Sequence, residues 1–205
     1  MLDSMDSYGA LELLKEGNRR YAAGKPLAPL DYSLLRSNLA ENGQRPFAVI
    51  LGCSDSRVPP EIVFDAGIGQ LFVVRTAGNI ADAIAVGSVE YAALQLGAPL
   101  IVVLGHQKCG AVEAAVFGGD HGANIEAIIR EIQPSLDKSR CSGEGDIACR
   151  CEDENIRHTA LKLRGSRIIS ELISSNKLMI IGAKYDMETG EVSFEDDRNA
   201  GDIKQ

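Results

Sequence analysis

The sequence has little that would fit a secreted, membrane-bound or nucleic-acid-binding protein. It contains 29 acidic and 21 basic residues, which gives a net charge of −8 at pH 7 and argues against nucleic acid and anionic membranes as partners. No apolar run approaches the roughly 18 residues that a membrane helix needs. The first residues lack a basic stretch followed by an apolar one, so we expect no signal peptide and a cytoplasmic location.

Histidine and tryptophan are also scarce, whereas cysteine is not. The chain has three histidines, no tryptophan and five cysteines among 205 residues. An odd number of cysteines, in a chain too long to need a disulfide framework, favours a reducing compartment and thiols that are used for metal binding or chemistry. The length predicts a single domain, residues 1–205, with a substantial core.

Short apolar runs alternate with helix-like segments along the chain. The runs are continuous rather than alternating, a pattern typical of parallel strands that are buried on both faces. The sequence therefore predicts an α/β fold in which a central, mainly parallel sheet is flanked by helices. The predicted strands are Phe47–Leu51, Leu71–Val74, Leu100–Leu104 and Leu178–Ile181, and the predicted helices are 10–23, 80–96, 122–133 and 154–174.

The sequence also predicts how the two ends of the domain are built and where the pattern is interrupted. Residues 10–23 form an N-terminal helical extension, and residues 24–31, with two prolines, form a linker. Residues 178–186 and 191–195 are predicted to form an edge hairpin around Met-Glu-Thr-Gly. Residues 134–153, rich in serine, glycine, acidic residues and cysteine, are predicted to be an exposed loop.

Reactive side chains follow two of the predicted strands. Cys53, Asp55 and Arg57 come after the first strand, and His106 and Cys109 come after the third. Ligands of open α/β sheets bind beyond the carboxyl ends of the strands, where neighbouring parallel strands would bring these loops together. Two sulfurs and one imidazole favour Zn²⁺, and three protein ligands leave a fourth position open for catalysis. Spacing alone leaves core or loop packing as an equal alternative.

The motifs around these residues resemble the β-class carbonic anhydrases. The resemblance extends over roughly residues 8–195, and the cysteine-rich segment is its main departure. The motifs that carry it are Cys-Ser-Asp-Ser-Arg at 53–57, His-x-x-Cys-Gly at 106–110, Leu-Phe-Val-Val-Arg-Thr-Ala-Gly-Asn at 71–79, Ser-Val-Glu-Tyr-Ala at 88–92, the run from Leu96 to His106, and Glu-Gly-Asn-Arg-Arg-Tyr at 16–21.

The resemblance implies a zinc enzyme that interconverts carbon dioxide and bicarbonate. It makes Cys53, His106 and Cys109 the ligands of one Zn²⁺ per chain, on which hydroxide attacks carbon dioxide. It also implies that the Gly110 backbone N–H binds a bicarbonate oxygen. The family implies a homodimer, often doubled to a tetramer, with residues 1–30 packing on the partner subunit. Some members have an inhibitory bicarbonate pocket that includes a tryptophan, which this chain lacks.

Asp55 and Arg57 become the carboxylate–guanidinium pair beside the metal. Two thiolates cancel the charge of Zn²⁺, so we expect its water to be less acidic than the pKa of about 7 seen with three histidines. Asp55 would orient this water, and Arg57 would keep Asp55 from becoming a fourth zinc ligand in a closed, inactive state. Two alternatives remain: a carbonyl sulfide or carbon disulfide hydrolase on the same site, and a non-catalytic zinc-binding bicarbonate sensor.

The remaining candidates are predicted to have ordinary roles. Cys141, Cys149 and Cys151 are interpreted as exposed thiols, with a second metal site or a redox switch as the alternative. The acidic run Glu152–Glu154 is interpreted as solvated charge. His121 and His158 are expected to be surface or capping residues, with proton transfer as the alternative. Arg75 is expected either to tie loops together or to contact the substrate.

Overall fold

The computed structural model describes residues 5–27, 32–141 and 145–195. Its strands are β1 (Ala48–Cys53), β2 (Leu71–Thr76), β3 (Leu100–His106), β4 (Met179–Tyr185) and β5 (Val192–Phe194). Its helices are α1 (Ser7–Ala22), α2 (Tyr32–Asn42), α3 (Pro60–Val63), α4 (Ala83–Gln95), α5 (Gly110–Phe117), α6 (Ala123–Cys141), α7 (Ile147–Arg164) and α8 (Arg167–Ser174), and a 3₁₀ turn covers Ala77–Asn79.

The five strands form one sheet in the order β2-β1-β3-β4-β5. The first four are mutually parallel, and β5 pairs with β4 in the antiparallel sense. Every residue of β1 and β3 is buried, because helices cover both faces of the sheet and form a core on each side. The predicted α/β fold with its terminal hairpin is therefore confirmed. No helix in the described ranges has both the length and the apolarity of a membrane span.

Helix α1 packs against this chain's own core rather than standing apart from it. Asp6 accepts a hydrogen bond from the Gly9 amide and so begins the helix, and Leu11 and Leu14 are buried in the first core cluster. A Cβ atom at Gly17 would overlap the backbone carbonyl oxygen of Phe64. Only glycine therefore allows α1 to approach the end of α3 this closely.

The prediction that residues 134–153 form an exposed loop is wrong. Helix α6 continues through Pro134 to Cys141, and α7 begins at Ile147, while residues 142–144 lie outside the described residues. The buried face of α6 contains Ile132, Leu136 and two serines, so polar residues interrupt the apolar period that would have predicted a helix.

Two further differences concern helices. The predicted helix 154–174 is two helices, because the chain turns at Gly165 and the Ser166 hydroxyl accepts from the Ile169 amide to begin α8. Helix α2 was not predicted, and none of its residues is buried. The second half of the predicted linker, residues 28–31, lies outside the described residues.

Candidate metal centre

Two neighbouring strands bring the predicted ligands together. Cys53 and His106 are the last residues of β1 and β3, and Cys109 directly precedes α5. The prediction that Cys53 and His106 lie in loops is corrected, since both are still paired in the sheet. The ligand atoms of the three side chains lie within 4.8 Å of one another, and the two sulfurs are 4.0 Å apart. Elsewhere in the described residues no comparable group of three ligating side chains occurs.

The donor set fits a soft divalent metal such as Zn²⁺. All three side chains are buried. The His106 Nδ1 atom lies 2.8 Å from the Gln107 carbonyl oxygen, to which its N–H donates, so that Nε2 is left with a free lone pair. That Nε2 atom is buried and has no hydrogen-bond partner among the residues that the structure describes. A buried, unpaired imidazole nitrogen next to two sulfurs is the arrangement expected of a metal ligand.

The surroundings of Cys53 favour the thiolate form of its side chain. A hydrogen bond from Cys109 lowers the pKa of the Cys53 thiol despite its burial, and the same contact, together with burial, raises the pKa of Cys109. The Gly78 and Asp55 backbone amides lie 3.3 and 3.4 Å from the Cys53 sulfur and also favour its thiolate. Thiolate is the form that binds a metal ion.

Asp55 is held beside this cluster by Arg57. The Nε and terminal N–H groups of Arg57 donate to the two Asp55 carboxylate oxygens at 2.9 and 2.7 Å, and the Arg57 amide adds a bond of 2.9 Å. Arg57 also donates to the Lys108 carbonyl at 3.1 Å. These bonds lower the pKa of Asp55 to about 2. Its Oδ2 atom lies 3.9 Å from His106 Nε2.

Arg75 was predicted either to tie loops together or to contact substrate, and its hydrogen bonds are of the first kind. Its Nε donates to the Cys53 carbonyl at 2.8 Å, and a terminal N–H donates to the Asp55 carbonyl at 2.5 Å. The arginine thus fixes the backbone of the segment that carries Cys53 and Asp55. Gly110, the predicted bicarbonate contact, is the exposed first residue of α5, and a Cβ atom there would meet no other atom within 4 Å.

Helix α7 supplies contacts that sequence reasoning missed. Glu152 is 5% exposed, and its carboxylate accepts from the Cys109 amide at 3.3 Å and pairs with Lys184 at 2.9 Å. Asn155 donates to the Gly78 carbonyl at 2.7 Å. The interpretation of Glu152 as solvated charge is wrong. The buried residues of α7 recur with a helical period, but several of them are polar. A search for apolar residues at helical spacing therefore does not detect this buried face.

The three additional cysteines do not form a second cluster. Cys141 and Cys149 are exposed, whereas Cys151 is buried beside the metal centre in the third core cluster, so its assignment as an exposed thiol is wrong. Burial raises the pKa of Cys151 to about 11. His121 and His158 are half-buried, and burial lowers the pKa of His158.

Comparison with known proteins shows the family of the chain. A family model described as carbonic anhydrase matches residues 48–192. Carbonic anhydrase 2 of Mycobacterium tuberculosis is 42% identical over 191 residues, which cover 91% of this chain and 92% of the relative. The carbonic anhydrase of Mycolicibacterium smegmatis is 39% identical and covers 95% of each chain. The structure of the Coccomyxa β-carbonic anhydrase in complex with acetazolamide is 25% identical, with a TM-score of 0.71 over 89% of this chain and 85% of that one.

Proposed function

The chain belongs to the β-class carbonic anhydrase family, and we propose that it catalyses the reversible hydration of carbon dioxide with one Zn²⁺ per chain. Cys53, His106 and Cys109 would hold the metal. The observation that carries this proposal is the buried, unpaired His106 Nε2 atom within 4.8 Å of two cysteine sulfurs, next to a carboxylate restrained by an arginine. Bound zinc supplies a hydroxide nucleophile near neutral pH by lowering the pKa of a water molecule.

Asp55 has the position and charge to orient the attacking oxygen. With its pKa at about 2, it is a carboxylate throughout the physiological range and would accept a hydrogen bond from the attacking water. Arg57 donates one hydrogen bond to each carboxylate oxygen of Asp55, and this pair of bonds holds the carboxylate in one orientation. This arrangement supports an open resting state, in which Asp55 pairs with Arg57 instead of closing the metal site as a fourth ligand.

Bicarbonate would be held at the amino end of α5. Gly110 is an exposed residue at the first position of this eight-residue helix, where backbone N–H groups without a partner in the helix, and the helix dipole, favour an anion. Arg57, whose guanidinium lies against the Lys108 carbonyl, adds positive charge at the same edge of the sheet. The site therefore combines an oriented nucleophile with a place for the anionic product.

We further propose that residues 1–205 form one domain that assembles as a homodimer, or a tetramer built from it, in the cytoplasm. Helix α4 exposes Ile84, Tyr91 and Leu94, each at least half exposed, on its outer surface, and a second copy would bury them. Residues 1–30 would add contacts to the partner through the outer face of α1. The five free cysteines support a reducing compartment.

Stopped-flow measurement of carbon dioxide hydration across pH on the zinc-loaded protein, with carbonyl sulfide turnover in parallel, tests this function. Rapid hydration of carbon dioxide is the expected result. Release of sulfide without hydration would assign the chain to the hydrolase alternative. Neither activity, with zinc fully bound, would favour a sensor and overturn the proposal.

A further inference from the structure

The two sulfurs of the metal centre are both connected to one face of helix α7. Glu152 and Asn155 are three residues apart on that helix and therefore lie next to each other on its surface. Glu152 binds the backbone of Cys109, and Asn155 binds the turn whose amide donates to the Cys53 sulfur. Helix α7 therefore contacts the surroundings of each sulfur without supplying a ligand.

The contact of Glu152 fixes the backbone of Cys109. The Cys109 amide is buried before the first turn of α5, and its hydrogen bond to the Glu152 carboxylate is 3.3 Å long. Without Glu152, this N–H would be a buried donor with no partner in the described residues, which the chain would relieve by moving Cys109. Such a movement would carry the sulfur away from its partner ligands.

Glu152 is itself held in one orientation. Its second oxygen pairs with the Lys184 ammonium at 2.9 Å, and Lys184 also pairs with Asp153 at 2.8 Å. Burial alone would lower the pKa of Lys184, but its bonds to Asp153 and Glu152 outweigh burial and raise it. Lys184 lies on β4 opposite Gly105, the residue before the His106 ligand on β3. The charged pair thus joins α7 to β4, the strand that pairs with the ligand-bearing β3.

The contact of Asn155 fixes the turn beside Cys53. Asn155 is 1% exposed, and its side-chain N–H donates to the Gly78 carbonyl at 2.7 Å while its oxygen accepts from the Ser135 hydroxyl at 3.3 Å. Gly78 has a φ of 73°, a conformation that favours glycine, and its amide points at the Cys53 sulfur at 3.3 Å. Asn155 therefore holds the donor that stabilises the Cys53 thiolate.

We propose that α7 supports the metal centre and that Glu152 and Asn155 are positioning residues that fix the two sulfur ligands. This inference rests on the proposed use of Cys53 and Cys109 as metal ligands. Partners of this kind orient the ligands, and their loss typically weakens metal binding by about 10- to 100-fold. The effect should appear as weaker binding per folded molecule and as altered sulfur–metal bonding, which a purely structural role would not produce.

The test uses Glu152→Gln and Asn155→Asp, which preserve side-chain shape, with Glu154→Gln as the control. Glu154 lies on the same helix, and its side chain is 13% exposed and pairs with Lys138 and Arg157, away from the sulfurs. Zinc affinity is measured by chelator competition, and sulfur–metal bonding by the near-ultraviolet charge-transfer bands of the Co²⁺-substituted protein. We expect each test variant to bind zinc about 10- to 100-fold more weakly, with shifted cobalt bands, and the control to match the native protein.

Native zinc affinity and native cobalt bands in the test variants would overturn the inference, as would equal losses in the control. If one variant does not fold, the other decides. If neither folds, amide hydrogen exchange of the zinc-free native protein decides: Cys109 and Gly78 should be protected, and rapid exchange at these amides would contradict a preformed support. Because none of these readouts measures turnover, failure of the proposed activity would be seen separately, in the native enzyme's carbon dioxide hydration.

Discussion

The Asp55–Arg57 pair gives the sharpest test of the proposed chemistry, through the substitution Arg57→Gln. The guanidinium satisfies both carboxylate oxygens with parallel bonds of 2.9 and 2.7 Å. A glutamine amide cannot reproduce this two-pronged contact, and it removes the positive charge. Asp55 would then be free to rotate towards the metal position, since its Oδ2 atom is already only 3.9 Å from His106 Nε2.

The expected loss follows from how far the carboxylate can move. A displacement of about 1 Å of a group that orients a reactant costs on the order of 100-fold in rate. We therefore expect kcat/KM for carbon dioxide hydration to fall about 100-fold, with one zinc per chain retained. Loss of the guanidinium raises the pKa of Asp55 from about 2 towards its ordinary value, so the group is still ionised above pH 6. The deficit should therefore stay constant from pH 6 to 9.

Stopped-flow hydration assays and zinc analysis on the same samples measure both quantities. Arg167→Gln is the matched control, because this arginine also pairs with a carboxylate but lies on α8 with its side chain 82% exposed. It should retain native turnover. Undiminished hydration by Arg57→Gln would refute the restraining role of Arg57, and loss of zinc from this variant would show that Arg57 maintains the metal site rather than the orientation of Asp55.

Three further predictions concern stability and thiol access. Gly17→Ala should lower the free energy of unfolding by about 1–3 kcal/mol in urea titrations, because its methyl group overlaps the Phe64 carbonyl. An unchanged free energy of unfolding would contradict the close approach of α1 to α3. The Asp55 pKa is depressed by folding, so its stabilising contribution is complete above pH ~4 and disappears as the pH falls to ~2; the unfolding curves of Asp55→Asn and the native protein should converge over that range. A thiol reagent should modify the exposed Cys141 and Cys149 rapidly and the buried Cys151 slowly. Equal reactivity of all three cysteines would contradict the helical structure of this region.

The sheet could be predicted because burial on both faces makes parallel strands continuously apolar. The ends of the strands could not be predicted in the same way. β1 continues through Gly52 to Cys53, and β3 through Gly105 to His106, so small or polar residues occupy buried strand positions that lack an apolar signature. The ligands were found because thiol and imidazole groups at these ends have few common roles, and because their motifs resemble a known family.

The support beneath the ligands could not be predicted because its residues look like those of a loop. Ser135, Ser139 and Glu152 are buried in the structure. The two serines form hydrogen bonds within α6 or to α7, and Glu152 bonds to the Cys109 amide and to Lys184. The periodicity of apolar residues reveals only helix faces that are buried through apolar side chains. A helix face that is buried through hydrogen-bonded polar side chains is not detected by it. Such contacts become visible only once the tertiary structure is known.

Net charge shows a similar distinction between the whole chain and the site. The value of −8 opposes polyanions, which meet a large part of the protein surface, but it does not determine the field at one edge of the sheet. There Arg57, Arg75 and the amino end of α5 lie close to the proposed metal centre. Salt screens the effect of charges that lie more than about 10 Å away, so the nearby charges determine the electrostatic potential at this edge. An acidic protein can therefore still hold and release a small anion there.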